Sequence, residues 1–132
     1  MSNRTKESEA KRLIGTLNRV QQAYYLENDR FTTNLESTGV VKPDTANYRY
    51  RLFIAPDRYP AALQVGLPKT SDLLTFLGLV YATKLNGQTA AIAILCVSDK
   101  PGTPMPLWNT IDYKKPKRGE PIACPFGFTL VK

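Results

Sequence analysis

Only one long stretch of this sequence repeats its apolar residues at helical spacing; almost everything after it follows strand spacing. Ala10, Leu13, Ile14, Leu17, Val20, Gln21 and Tyr24 fall on one stripe of a helix, with Lys11, Arg12, Asn18, Arg19 and Gln22 mostly off it. Glu7 and Glu9 stand near the start, where acids suit the helix dipole. Asn28-Asp29 is a stop signal, so the spacing predicts a helix from about Thr5 to Glu27. The stripe is the face that covers a core. Gly15 costs about 1 kcal/mol against alanine inside a helix, which suggests close packing against a neighbour.

A connection follows over about residues 28–47. Thr33-Asn34-Leu35-Glu36 fits a capping box with Thr33 as N-cap, and Gly39 ends the short turn it starts. Tyr48 to Ile54 then alternates, with Tyr48, Tyr50, Leu52 and Ile54 on one face and Arg49, Arg51 and Phe53 on the other. Ala61 to Leu67 reads as a second strand between Pro60 and Pro68, and Leu73 to Leu85 as a third. Asn86-Gly87 is a strong hairpin signal, and Thr89 to Val97 is the return strand, apolar enough for burial on both faces. Pro101, Pro104, Pro106 and Pro116 break regular structure after Ser98, with Trp108 as an anchor onto the sheet. Phe126, Phe128, Leu130 and Val131 suggest a closing strand. One helix followed by about four or five antiparallel strands is an α+β layout, the helix lying across one sheet face.

Composition narrows the chemistry. The 132 residues include no histidine, so the commonest general base and metal ligand is missing. The eleven carboxylates form no motif pair for acid–base work. There is no G-x-S-x-G and no phosphate loop. These absences argue against an enzyme, a cofactor and a metal site. The two cysteines, Cys96 and Cys124, are too far apart in sequence for a C-x-x-C redox pair. They form either a structural disulfide or two free core thiols. A disulfide closing that loop would stabilise by roughly 3 to 4 kcal/mol and would place the domain outside the cytoplasm. Met1 to Arg12 is polar and carries no export signal, and no run approaches the ~18 apolar residues that would suggest a membrane span. An N-terminal segment removed from the natural protein, with Met1-Ser2-Asn3 as vector sequence, reconciles export with that polar start.

The net charge is +7, and from Lys100 onward six basic residues face two acids. Such a surface favours polyanions. The sharpest run is Tyr113-Lys114-Lys115-Pro116-Lys117-Arg118. There Lys114, Lys115, Lys117 and Arg118 are candidate polyanion-binding residues, with a merely solvated loop as the alternative.

The stretch Asn18-Arg19-Val20-Gln21-Gln22-Ala23-Tyr24-Tyr25-Leu26-Glu27-Asn28, with Phe31 after it, resembles the helix-to-loop signature of the type IV pilin-like G/H proteins of cyanobacteria. Ala91-Ile92-Ala93-Ile94-Leu95-Cys96 and the later Ala123-Cys124 resemble the same family. The likeness covers residues 8–40 and 77–98 well, while residues 55–75 and 99–120 match in position only. It implies one pilin-like head over residues 1–132, with the sheet over about 48–97 and a C-terminal loop and closing strand over about 98–132. It further implies a structural subunit, a minor pilin assembled into or at the tip of a surface filament that serves motility, adhesion or DNA uptake. A type II secretion pseudopilin and a secreted polyanion- or glycan-binding module are the alternatives. Its partners would be other pilin subunits and DNA or surface polysaccharide; the helix face with Lys11, Arg12, Arg19 and Gln22 either meets neighbouring subunits or is an ordinary solvated face. The membrane would be reached through an apolar helix half ahead of a junction at Arg4 to Leu13. The place implied is extracytoplasmic, first as a membrane-anchored precursor and then on the pilus.

Overall fold

The structure is a computed structural model and describes residues 2–39, 44–56, 60–111 and 122–131. Helix α1 spans Asn3–Asn28, and five strands follow: β1 (Tyr48–Ile54), β2 (Ala61–Pro68), β3 (Phe76–Leu85), β4 (Gln88–Ser98) and β5 (Phe128–Leu130). They form one antiparallel sheet in chain order, β1-β2-β3-β4-β5. The expected α+β arrangement of one long helix on an antiparallel sheet is what the chain adopts.

Ser2 caps α1 by accepting a bond from the Thr5 amide at 3.2 Å, and Asp29 ends it in the left-handed conformation, its N–H returning to the Tyr25 carbonyl. The expected dipole match is absent. The first turn holds no acid but Arg4 and Lys6, and Glu7 instead accepts the Leu74 amide at 2.9 Å. The capping box also does not form. The 3₁₀ turn Glu36–Thr38 follows an Asx turn, with the Asn34 side chain accepting from the Glu36 amide and the Thr32 hydroxyl accepting from the Asn34 amide. The short polar side chains thus satisfy the turn one residue away from the predicted cap. Gly39 does end it, at φ 80°.

The hairpin between β3 and β4 turns on Asn86 and Gly87, both at positive φ, with Leu85 opposite Gln88. A two-residue turn of this kind matches the strand twist. Strand β3 starts at Phe76, three residues later than its apolar run suggests. Leu73 is buried off the end of the strand, and its carbonyl accepts from the Gly102 amide.

Strand alternation splits the core in two. Tyr48, Tyr50 and Leu52 of β1 and Phe76 of β3 face α1 and pack with its Ala10, Ile14 and Leu17. On the opposite face Leu63, Val65, Leu77, Leu79, Tyr81, Ile94 and Cys96 form a second cluster that includes no residue of α1. Its lid is the C-terminal stretch, through Met105, Trp108, Ile111, Ile122 and Cys124. Each fully buried large side chain contributes roughly 1.5–3 kcal/mol, so the sheet needs both covers. Trp108 is half-buried against this cluster, as its anchoring role requires.

Candidate functional site

Three features distinguish the surface and interior of this head: the staple on the far face, the polar seam under α1, and the outward side of α1.

The staple is a disulfide. Cys96 and Cys124 are joined with Cα atoms 5.9 Å apart, across 28 positions of sequence. Cys96 sits in the middle of the sheet's far face and Cys124 at the end of the covering segment. The Tyr81 hydroxyl adds a second tether by accepting the Ile122 amide at 3.4 Å. Beyond Cys124 the chain turns at Gly127, at φ 88°, and adds β5 beside the end of β4. Phe126, expected in that closing strand, lies in the turn before it and is fully exposed.

Under α1 the contact is polar at its centre. Asn18 is buried, although its neighbours in the apolar stripe would leave it to the side. Its Nδ2 donates to the Ile94 carbonyl at 3.0 Å, and its Oδ1 accepts from Gln64 Nε2 at 2.9 Å. Gln64 Nε2 also donates to the Gly78 carbonyl at 3.3 Å, and its Oε1 accepts from Gln21 Nε2 at 3.1 Å. Gln21 completes the seam against Thr32, donating to its carbonyl at 2.7 Å and accepting its amide at 3.1 Å. One connected set therefore fixes helix, strands and connection in register, each buried amide having partners. Gly78 makes room for it, because a Cβ there would lie 2.1 Å from Asn18 Oδ1. Gln64 and Gly78 carry no sequence signal, since a strand interior of mixed residues reads as ordinary alternation. Gln21, a polar residue within the apolar stripe, is the one legible hint.

The predicted contact face divides. Lys11, Arg12 and Arg19 are exposed on the outward side of α1, and Arg19 donates to the Thr16 hydroxyl at 3.2 Å. Gln22 is half-buried instead, donating to the Ala91 carbonyl at 2.8 Å. It belongs with the sheet edge. β5 pairs with β4 only at Cys96–Ser98, so Gln22 supplies one bond to a strand edge that no strand covers among the described residues. Gly15 lies on the outward side, where a Cβ would meet the Arg19 guanidinium at an ordinary 3.6 Å. Nothing inside the described chain requires a glycine there. Lys114, Lys115, Lys117 and Arg118 lie outside the described residues.

Titration behaviour reflects packing. Burial is the main cause that pushes the Tyr48 phenol well above its usual range, and its hydroxyl donates to the Leu74 carbonyl at 2.6 Å. Burial also pushes Tyr50 up to about 12, against a small opposing pull from the Thr45 hydroxyl. The Tyr50 hydroxyl is buried and, among the described residues, has no well-aligned hydrogen-bond partner. Among the described residues no three His, Cys, Asp or Glu side chains stand close enough to hold a metal ion.

A long helix laid on an antiparallel meander, with a disulfide-held C-terminal segment, defines a pilin-like head. The family model for type IV pilin-like G and H proteins matches residues 7–125, and the chain belongs to that family. No curated protein and no solved structure matches the chain. Membership makes this a structural subunit of the pilus or pseudopilus kind, one of a family that assembles with other pilin-like subunits outside the cytoplasm and is structural in character.

Proposed function

We propose that the chain is the head of a minor pilin, carried into or onto the tip of a type IV pilus and serving motility, adhesion or DNA uptake there. An apolar helical stem in line with α1 anchors the precursor in the membrane. The observation that supports this best is the two-sided character of α1 in a pilin-like family member. One side is committed to the sheet through the Asn18–Gln21–Gln64 seam, and the other presents Lys11, Arg12 and Arg19 outward. That outward side is the face offered to neighbouring subunits, with Gly15 permitting close approach.

Deleting the gene and scoring piliation, movement, transformation and protein secretion together tests the role. Loss of surface filaments or of a filament-dependent phenotype, with secretion intact, is the expected result. Lost secretion with intact pili would instead assign the subunit to a secretion pseudopilus.

A further inference from the structure

Three cations gather at one end of the sheet on the face away from α1. Arg49 and Arg51 alternate with Tyr48 and Tyr50 along β1 and so point to that face, and Lys69 follows directly after β2. The carboxylate among them is Asp44. Its pKa is held below the usual value first by the hydrogen bond from Arg51, with further charge effects from Arg51, Lys69 and Arg49. Asp44 is already taken by Arg51 at 2.8 Å. Arg49 and Lys69 are exposed, and among the described residues no carboxylate forms an ion pair with either. Asp72, three residues beyond Lys69, accepts from the Thr70 hydroxyl at 2.5 Å.

Beside these two cations lies an open cleft of about 360 Å³, lined by Arg49, Lys69, Thr70, Ser71, Gly102 and Thr103. Its walls are fixed from behind. The Lys69 amide donates to the Asn47 carbonyl at 2.9 Å and the Gly102 amide to the Leu73 carbonyl at 2.8 Å. The Thr75 hydroxyl holds the Thr103 carbonyl, and the Thr103 hydroxyl donates to the Lys100 carbonyl at 2.6 Å. Gly102 sits at φ 68°, and a Cβ there would come within 3.0 Å of the Ser71 carbonyl. The two loops therefore meet at a contact that only glycine allows without displacement.

We propose that this cleft binds an acidic glycan, with Arg49 and Lys69 holding a carboxylate of a uronate residue and the hydroxyls of Thr70, Ser71 and Thr103 meeting sugar hydroxyls. Its aliphatic floor, Leu67 and Pro68, offers an apolar surface to a sugar face. Among the described residues no aromatic side chain lines the cleft, so they offer no stacking platform of the kind single-stranded nucleic acid needs. The proposal goes beyond the assembly role and does not depend on it, because binding is read on the isolated chain.

The test is an amide NMR titration of the 132-residue protein with hexameric oligogalacturonate. Neutral maltohexaose, a thymidine dodecamer and raised salt serve as the comparison arms. Saturable shifts centred on Thr70, Ser71, Gly102 and Thr103 are expected with the acidic sugar, weakening as salt screens the charges. Maltohexaose should leave those amides in place. Changing Arg49→Gln and Lys69→Gln together should weaken binding at least tenfold at unchanged melting temperature. Lys69→Gln alone, the reserve should the double variant fold poorly, should weaken it several-fold. The proposal is overturned by absent or unsaturable shifts, by equal response to maltohexaose, by full binding in the Arg49/Lys69 variants, or by tighter binding of the oligonucleotide at the same amides. A head that binds the sugar but builds no filament would sink the pilus role alone.

Discussion

Tyr50 and Gly78 show how much single positions carry here. Tyr50 buries its hydroxyl without a well-aligned partner among the described residues, so the fold bears a desolvation cost that Phe would not have. Tyr50→Phe should raise stability by about 1 kcal/mol in urea unfolding; a clear loss would show that the hydroxyl has a partner. The same group gives a pH window. Below the ordinary phenol value near 10 both states keep the proton, and stability is flat. Above it the unfolded chain ionises while Tyr50 stays neutral to about 12, so stability falls as pH rises from 10. Comparing urea midpoints at pH 9 and 11 checks the sign, and Tyr50→Phe should shrink the difference. At Gly78 an added methyl would collide with Asn18. Gly78→Ala should cost about 2 to 3 kcal/mol. Asn18→Ala should relieve part of that cost, giving a non-additive cycle.

Among the elements, the C-terminal cover depends most on a single link. Among the described residues it reaches the far-face cluster through Met105, Trp108 in a single 3₁₀ turn, Ile111, Ile122 and Phe128 of the three-residue β5, and through the staple. Changing Cys96 and Cys124 together to Ala should lower stability by about 3 to 4 kcal/mol. Hydrogen exchange should then show the amides around Trp108 and Ile122 opening before those of β2 and β3. Uniform loss of protection would mean the cover and the sheet open as one unit. The elements differ in how plainly the sequence shows them. The helix, β1, the hairpin turn and the return strand are written in periodicity and turn chemistry, which act locally. The start of β3 and the placement of Phe126 are not. Leu73 and Phe126 are apolar and adjoin strands, yet tertiary bonds of Gly102 and Gly127 bend the chain away from the ladder there. The polar seam was half visible. Gln21 stands in the stripe, but its partners Gln64 and Thr32 are distant in sequence, and Asn18 read as a surface residue. The cleft beside Arg49 and Lys69 was not visible at all, because it joins three segments.

At the scale of the whole molecule, α1 joins the head to its neighbours in the proposed filament. Reversing Arg12→Glu and Arg19→Glu should leave the melting temperature within about 1–2 °C, since exposed surface charges contribute little to folding. It should nonetheless reduce filament number, counted by electron microscopy of cells carrying the variant. Unchanged piliation would remove that face of α1 from the interface.

The chain-order sheet has a consequence for biogenesis. Each strand pairs with the one made just before it, so four strands can assemble as the polypeptide is delivered from its N-terminus. Their far side, with Leu63, Leu77, Leu79 and Tyr81, has no cover until the final segment arrives. Cys96 therefore waits for Cys124, and oxidation becomes the finishing step of maturation. An export pathway short of thiol oxidant should accumulate heads with a finished helix-side core and an open, sticky back.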